Sequence, residues 1–139
     1  MIEKFNGIFY LAVFIIHFLV FAVYAYQTVF ATKTFLDKFG IDDTGAGMTR
    51  FFGSLFIGAV AMAIWVGFIR PDGLQGTWAF FNLVFLQNFC SFIFAVWSHQ
   101  KKHLGVNEKT SLWEGIIVPG ILTLLSAVLC YGISDKIYI

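Results

Sequence analysis

Residues 77 to 98 run for 22 positions without one charged side chain. A helix rises about 1.5 Å per residue and a bilayer core is about 30 Å thick, so this stretch is long enough to cross a membrane. Gln87, Asn88 and Ser91 stand near its middle. An amide left unpaired in hydrocarbon costs several kcal/mol, so that face is expected to meet protein or enclosed water. Such a helix needs partners.

Three further apolar runs supply them. The expected spans are residues 6–30, 48–69, 77–98 and 111–133, which makes the chain all-α: an integral membrane four-helix bundle with up-down topology, in a single domain 1–139. Composition agrees, because 59% of residues are hydrophobic and 12% charged, against about 25% charged in soluble domains. The net charge is +1 and the nine Lys and Arg are scattered through connections. They offer phosphates no basic patch, which excludes a general nucleic-acid binder. The first run outlasts a signal-peptide core of about 7 to 15 residues and reads as a retained span. Cys90 and Cys130 are expected at different depths, too far apart for a disulfide, and both read as small buried hydrophobes.

The connections fix the expected order in space. Arg70-Pro71-Asp72-Gly73 forms a short turn that makes the second and third spans antiparallel neighbours. Phe35, Leu36 and Phe39 alternate with Lys33, Asp37 and Lys38 in an amphipathic turn suited to the bilayer interface. Lys4, Arg70 and Lys136 fall on the side of the termini, three against the six of Lys33, Lys38, Arg50, Lys101, Lys102 and Lys109. The positive-inside rule then makes the protein multi-pass with both termini on the non-cytoplasmic side.

Candidate sites are weighed against plain structural roles. Tyr10, His17 and Tyr24 fall seven apart, close to the line of Asn6 and Thr28, as one polar stripe on the first span. With Gln87, Asn88 and Ser91 they make a ligand-binding or polar core group near mid-membrane. Such groups commonly hold helices together at about 0.6 kcal/mol per hydrogen bond; they can also orient the head of a lipid or quinone inside a bundle. The plain reading of His17 is a neutral ring hydrogen-bonded to Asn88, Gln87 or a tyrosine. A bis-histidine haem would want a second imidazole at its depth, yet His99 and His103 follow the third span, roughly 15 Å away along the membrane normal. That leaves only a haem with one protein ligand. The Asp42-Asp43 turn lacks the alternating ligands and closing Glu of a calcium loop. Metal binding therefore has no support.

Arg50 and Glu114, near span ends on one side, are candidate interfacial charges that would pair with each other or meet lipid headgroups. Small residues recur at four-residue spacing, Ser54 with Gly58, then Ala59, Ala63 and Gly67, which marks the second span as a closely packed, crowded helix. Pro119-Gly120 should kink the fourth span, freeing backbone groups for Thr123 or a neighbouring helix to satisfy.

An N-terminal span, a loop whose short apolar turn ends in a Gly-rich stretch, and Arg50-Phe51-Phe52-Gly53 opening a small-residue-rich second span resemble the DoxX-like group of small four-helix membrane proteins. The likeness covers the order of all four spans and is specific over roughly residues 35 to 67. It implies a four-helix fold and no catalytic residue.

The chain carries no G-x-S-x-G, H-E-x-x-H, Walker or C-x-x-C motif, so catalysis has little positive support and the sequence names no particular cofactor. The expectation is an accessory or scaffold subunit of a membrane complex, with the lipid bilayer and a membrane protein or second copy as partners. The alternative is a transporter or binder of a small hydrophobic ligand, a lipid or quinone, using the polar midplane. A membrane oxidoreductase subunit is the third reading, for which His17 would have to touch a cofactor.

Overall fold

The computed structural model describes residues 2–103 and 105–139. Four helices are long and apolar enough to cross a membrane: Ile8–Val29, Asp43–Ile69, Trp78–Lys101 and Trp113–Gly132. The regular parts are α1 (Ile8–Val29), α3 (Ala46–Ile64), α4 (Trp78–Lys101) and α5 (Val118–Gly132), with two short helices, α2 (Thr32–Phe39) and α6 (Ser134–Ile137), lying outside the spans. Leu, Ile and Phe side chains remain widely exposed along all four. An apolar exterior of this extent belongs in lipid, and the protein is a multi-pass membrane protein.

Boundaries depart from the expected ones for local reasons. Asn6 is left-handed (φ 55°) and Gly7 has φ 119°, so α1 begins at Ile8 and Asn6 lies off the stripe expected to include it. The Asn6 side chain instead donates to Gly132 O at 3.0 Å, satisfying a carbonyl at the end of α5. Helix α4 runs three residues past the expected end, to Lys101, where Lys102 closes it in the left-handed conformation (φ 49°). His99 and Lys101 in that last turn suit the negative end of the helix dipole.

Two π turns were not expected from the sequence. One, Trp65–Ile69, ends the second span just before Arg70-Pro71. The other, Trp113–Ile117, opens the fourth span just before Pro119. Pro119 has no N–H to give to the carbonyl four residues back, and the widened turn, closed by Val118 N to Trp113 O, takes up the fault. Thr123 does not serve the freed groups; its hydroxyl donates to Pro119 O at 2.8 Å.

The helices form an open arc. Helix α1 packs on both α3 and α5, and α5 carries α4, while α3 and α4 stay apart along nearly their whole length. The second and third spans are thus consecutive and antiparallel but not packed neighbours. Gly53 and Gly120 explain this: a Cβ on Gly53 would fall 2.2 Å from Thr28 Oγ1 of α1, and one on Gly120 would fall 3.1 Å from the Phe92 ring of α4. Close approach is spent on the α1–α3 and α4–α5 pairs. The centre is largely aromatic, with Phe14, Phe18, Phe21 and Phe81 buried among Val66, Leu122 and Leu129.

Helix α1, not α3, is the most enclosed span. Ala63 and Gly67 are buried, Gly67 beneath the Phe14 ring, and Ala59 packs beside the core. Ser54 and Gly58 are exposed, and a Cβ on Gly58 would meet nothing within 4 Å. The expected packing stripe is therefore split between an inner and an outer face. Cys90 is exposed rather than buried, while Cys130 is half-buried beside the core.

Each end of the arc is tied. At one end the N-terminal turn, the 70–77 connection and α6 meet, with Tyr138 OH donating to Asn82 Oδ1 at 3.0 Å. At the other, Asn107 Nδ2 donates to Phe39 O at 3.4 Å, joining α2 to the connection after α4.

Candidate functional site

The gap between α3 and α4 is a cleft of about 400 Å³, floored by α1 and α5. Phe52, Leu55 and Phe56 line it from α3; Gln87, Asn88, Cys90 and Ser91 from α4; Tyr24 from α1; Glu114, Val118, Pro119 and Leu122 from the fourth span. Residues 52, 55 and 56 share one face of α3, and 87, 88 and 91 one face of α4, because helix neighbours recur at three and four positions. Most of the wall is hydrocarbon or aromatic. Its polar groups are concentrated on the α4 side and at Glu114.

Asn88 joins this wall to the interior. It is 5% exposed, and His17, on the facing side of α1, is 0% exposed. Asn88 Nδ2 lies 2.9 Å from His17 Nε2 and 3.4 Å from both Leu122 O and Ser126 Oγ. Leu122 O can only accept, so Nδ2 is a donor and His17 Nε2 must accept. The imidazole is therefore neutral, with its proton on Nδ1. That buried N–H has no partner among the described residues; the Phe18 and Phe21 rings lie against the imidazole, each at 4.8 Å between centroids. All three Asn88 contacts among the described residues use the nitrogen, and none engages the amide oxygen.

The remaining candidate residues divide by position. Tyr24 lines the cleft and Gln87 and Ser91 are exposed along it. Tyr10 is elsewhere: its ring packs where a Cβ on Gly132 would fall, 1.9 Å from Cε1, at the end of the bundle that holds the termini. The seven-residue stripe of α1 is thus three separate contacts. Arg50 and Glu114 do not pair with each other. Arg50 Nε donates to Thr32 Oγ1 at 3.1 Å, and Glu114 pairs with Lys38 of α2 through Oε1. Glu114 Oε2 is buried with no hydrogen-bond partner among the described residues. Its carboxylate closes one end of the cleft, and Lys38 anchors it there.

Ser126 is a site residue that the sequence reading passed over. It is 2% exposed, and its hydroxyl donates to Leu122 O at 2.7 Å while facing Asn88 Nδ2. The signal was faint, since a lone serine in an apolar span is ordinary.

Compared with models of known protein families, with curated proteins and with solved structures, the chain matches none. Its function must therefore be argued from the cleft.

Proposed function

We propose that the protein binds a small amphiphilic molecule drawn from the bilayer, a lipid or a quinone, in the cleft between α3 and α4. One observation carries this reading: in a bundle set in hydrocarbon, Gln87 and Ser91 are exposed on a cleft wall together with the uncommitted oxygen of Asn88. Polar groups left facing lipid are costly, and a guest that hydrogen-bonds to them removes that cost. An apolar cleft with a few convergent polar groups is the usual form of a small-ligand site, and about 400 Å³ falls within the usual range of roughly 300 to 1,000 Å³.

The accessory-subunit reading draws on the small-residue stripe of α3. Ala59, Ala63 and Gly67 pack within the chain and Gly58 borders the gap, so of the five stripe residues Ser54 is what remains for a partner helix. An oxidoreductase role would need His17 to reach a cofactor. That ring is fully buried and held by Asn88, behind the wall of the cleft.

The test is photolabelling in native membranes with a diazirine-bearing fatty alcohol, followed by peptide mapping. Adducts concentrated on the facing sides of α3 and α4 and competed away by unlabelled alcohol support a site. Labels spread evenly over all lipid-facing surfaces contradict it.

A further inference from the structure

The cleft does not end at Gln87. A second groove of about 290 Å³ continues it toward the end of the molecule that holds the termini, and the two share Leu55 and Gln87. Its walls are Leu55, Gly58, Ala59 and Met62 of α3 and Phe80, Leu83, Val84 and Gln87 of α4. Each set has the spacing i, i+3, i+4, i+7, so each is one continuous helix face, and the two faces look at each other across the gap. Beyond Gln87 every wall residue is apolar.

We infer that this lower groove holds a single hydrocarbon chain of the bound amphiphile, whose polar head lies among Gln87, Asn88 and Ser91. The inference rests on the ligand site proposed above and adds the shape of the ligand: one chain, and a head without negative charge. The polar side chains that line the gap, Tyr24, Gln87, Asn88, Ser91 and Glu114, all stand at or above Gln87 among apolar walls, and none lines the groove below it. From Gln87 to Phe80 the groove follows α4 for about 10 Å, and its walls beyond Gln87 are apolar over that length, as a lipid chain requires. The head is not anionic, because Glu114 stands at the polar end and disfavours a phosphate. Its Oε1 pairs with Lys38, while Oε2 is buried without a partner among the described residues.

Gly58 sets the depth of the groove. A Cβ there meets nothing within 4 Å, so a large side chain enters open space without displacing the bundle. Gly58→Phe should therefore plug the tail groove and spare the fold.

The experiment measures binding of monoacylglycerols of increasing chain length to the purified full-length protein, with the phosphate-headed lysophosphatidic acids as a second series. Wild type should bind long-chain monoacylglycerols more than tenfold tighter than short-chain ones, and lysophosphatidic acids at least tenfold more weakly at matched length. Gly58→Phe should abolish the chain-length preference and leave short-chain binding within about twofold. Met62→Trp, on the same wall and exposed, should do the same and stands in if Gly58→Phe is unstable. Chain-length preference unchanged in both variants overturns the tail groove. If binding then still falls on Gln87→Leu, the head site survives without it; if no monoacylglycerol binds wild type, both fail together. A preference for lysophosphatidic acid overturns the non-anionic head.

Discussion

A methyl group added to Gly53 would fall 2.2 Å from Thr28 Oγ1 and 2.6 Å from Val29 Cγ2, whereas one added to Gly58 touches nothing within 4 Å. The same substitution therefore separates the two. Gly53→Ala should lower stability by about 1 to 3 kcal/mol, the usual cost of overpacking. Gly58→Ala should be neutral or slightly stabilising, since Ala is the better helix former by about 1 kcal/mol. Thermal unfolding in one detergent checks both, and equal effects would contradict the packing described. Sequence reading chose Gly58 and passed over Gly53, although Gly53 closes the quoted Arg50-Phe51-Phe52-Gly53 motif. Four-residue spacing shows that helices can approach, but not which face meets which partner. His17 and Asn88 were more legible, because an ionisable ring and an amide at similar depth have few other ways to be satisfied. Ser126 completes that contact and carried no comparable signal.

At the level of elements, the spans were readable from hydropathy and their ends were not. Asn6-Gly7 breaks α1 through two positive φ angles, and α4 continues past Ser98 through His99, Gln100 and Lys101 because a polar last turn can extend beyond the hydrocarbon. The π turn before Pro119 is a consequence of the missing N–H, but proline alone announces a fault without saying which form it takes. This turn matters to the site. It sets the rotation of Glu114, which lines the cleft and pairs with Lys38. Pro119→Ala restores a donor and should let residues 113–118 regularise to α-helix, rotating Glu114 away from Lys38. Hydrogen exchange should then show slower exchange at these amides and faster exchange in α2, which loses its tether. Unchanged exchange in both segments would mean that the π turn does not depend on the proline.

The whole molecule is an arc in the order α3, α1, α5, α4, open where the shortest connection between spans suggested closure. Chain connectivity constrains which helices are antiparallel, while side-chain volume decides which ones touch. Here Gly53 and Gly120 serve the α1–α3 and α4–α5 contacts, whereas Gly58 and Ala59 stand between Leu55 and Met62 on the face of α3 that looks across the gap at Leu83 and Gln87 of α4. Four apolar spans and the all-α class were evident from the sequence; the opening between two of them was not. That opening is where the polar residues of α4 find a use. Native mass spectrometry of the gently solubilised protein, beside the Gln87→Leu/Ser91→Ala double variant, tests the claim most directly. Both substituted residues are exposed, so the fold should persist. The account predicts one tightly retained amphiphile per wild-type chain and at least a tenfold lower occupancy in the double variant. Equal retention in the two, or wild-type protein carrying stoichiometric partner chains and no small molecule, would contradict it.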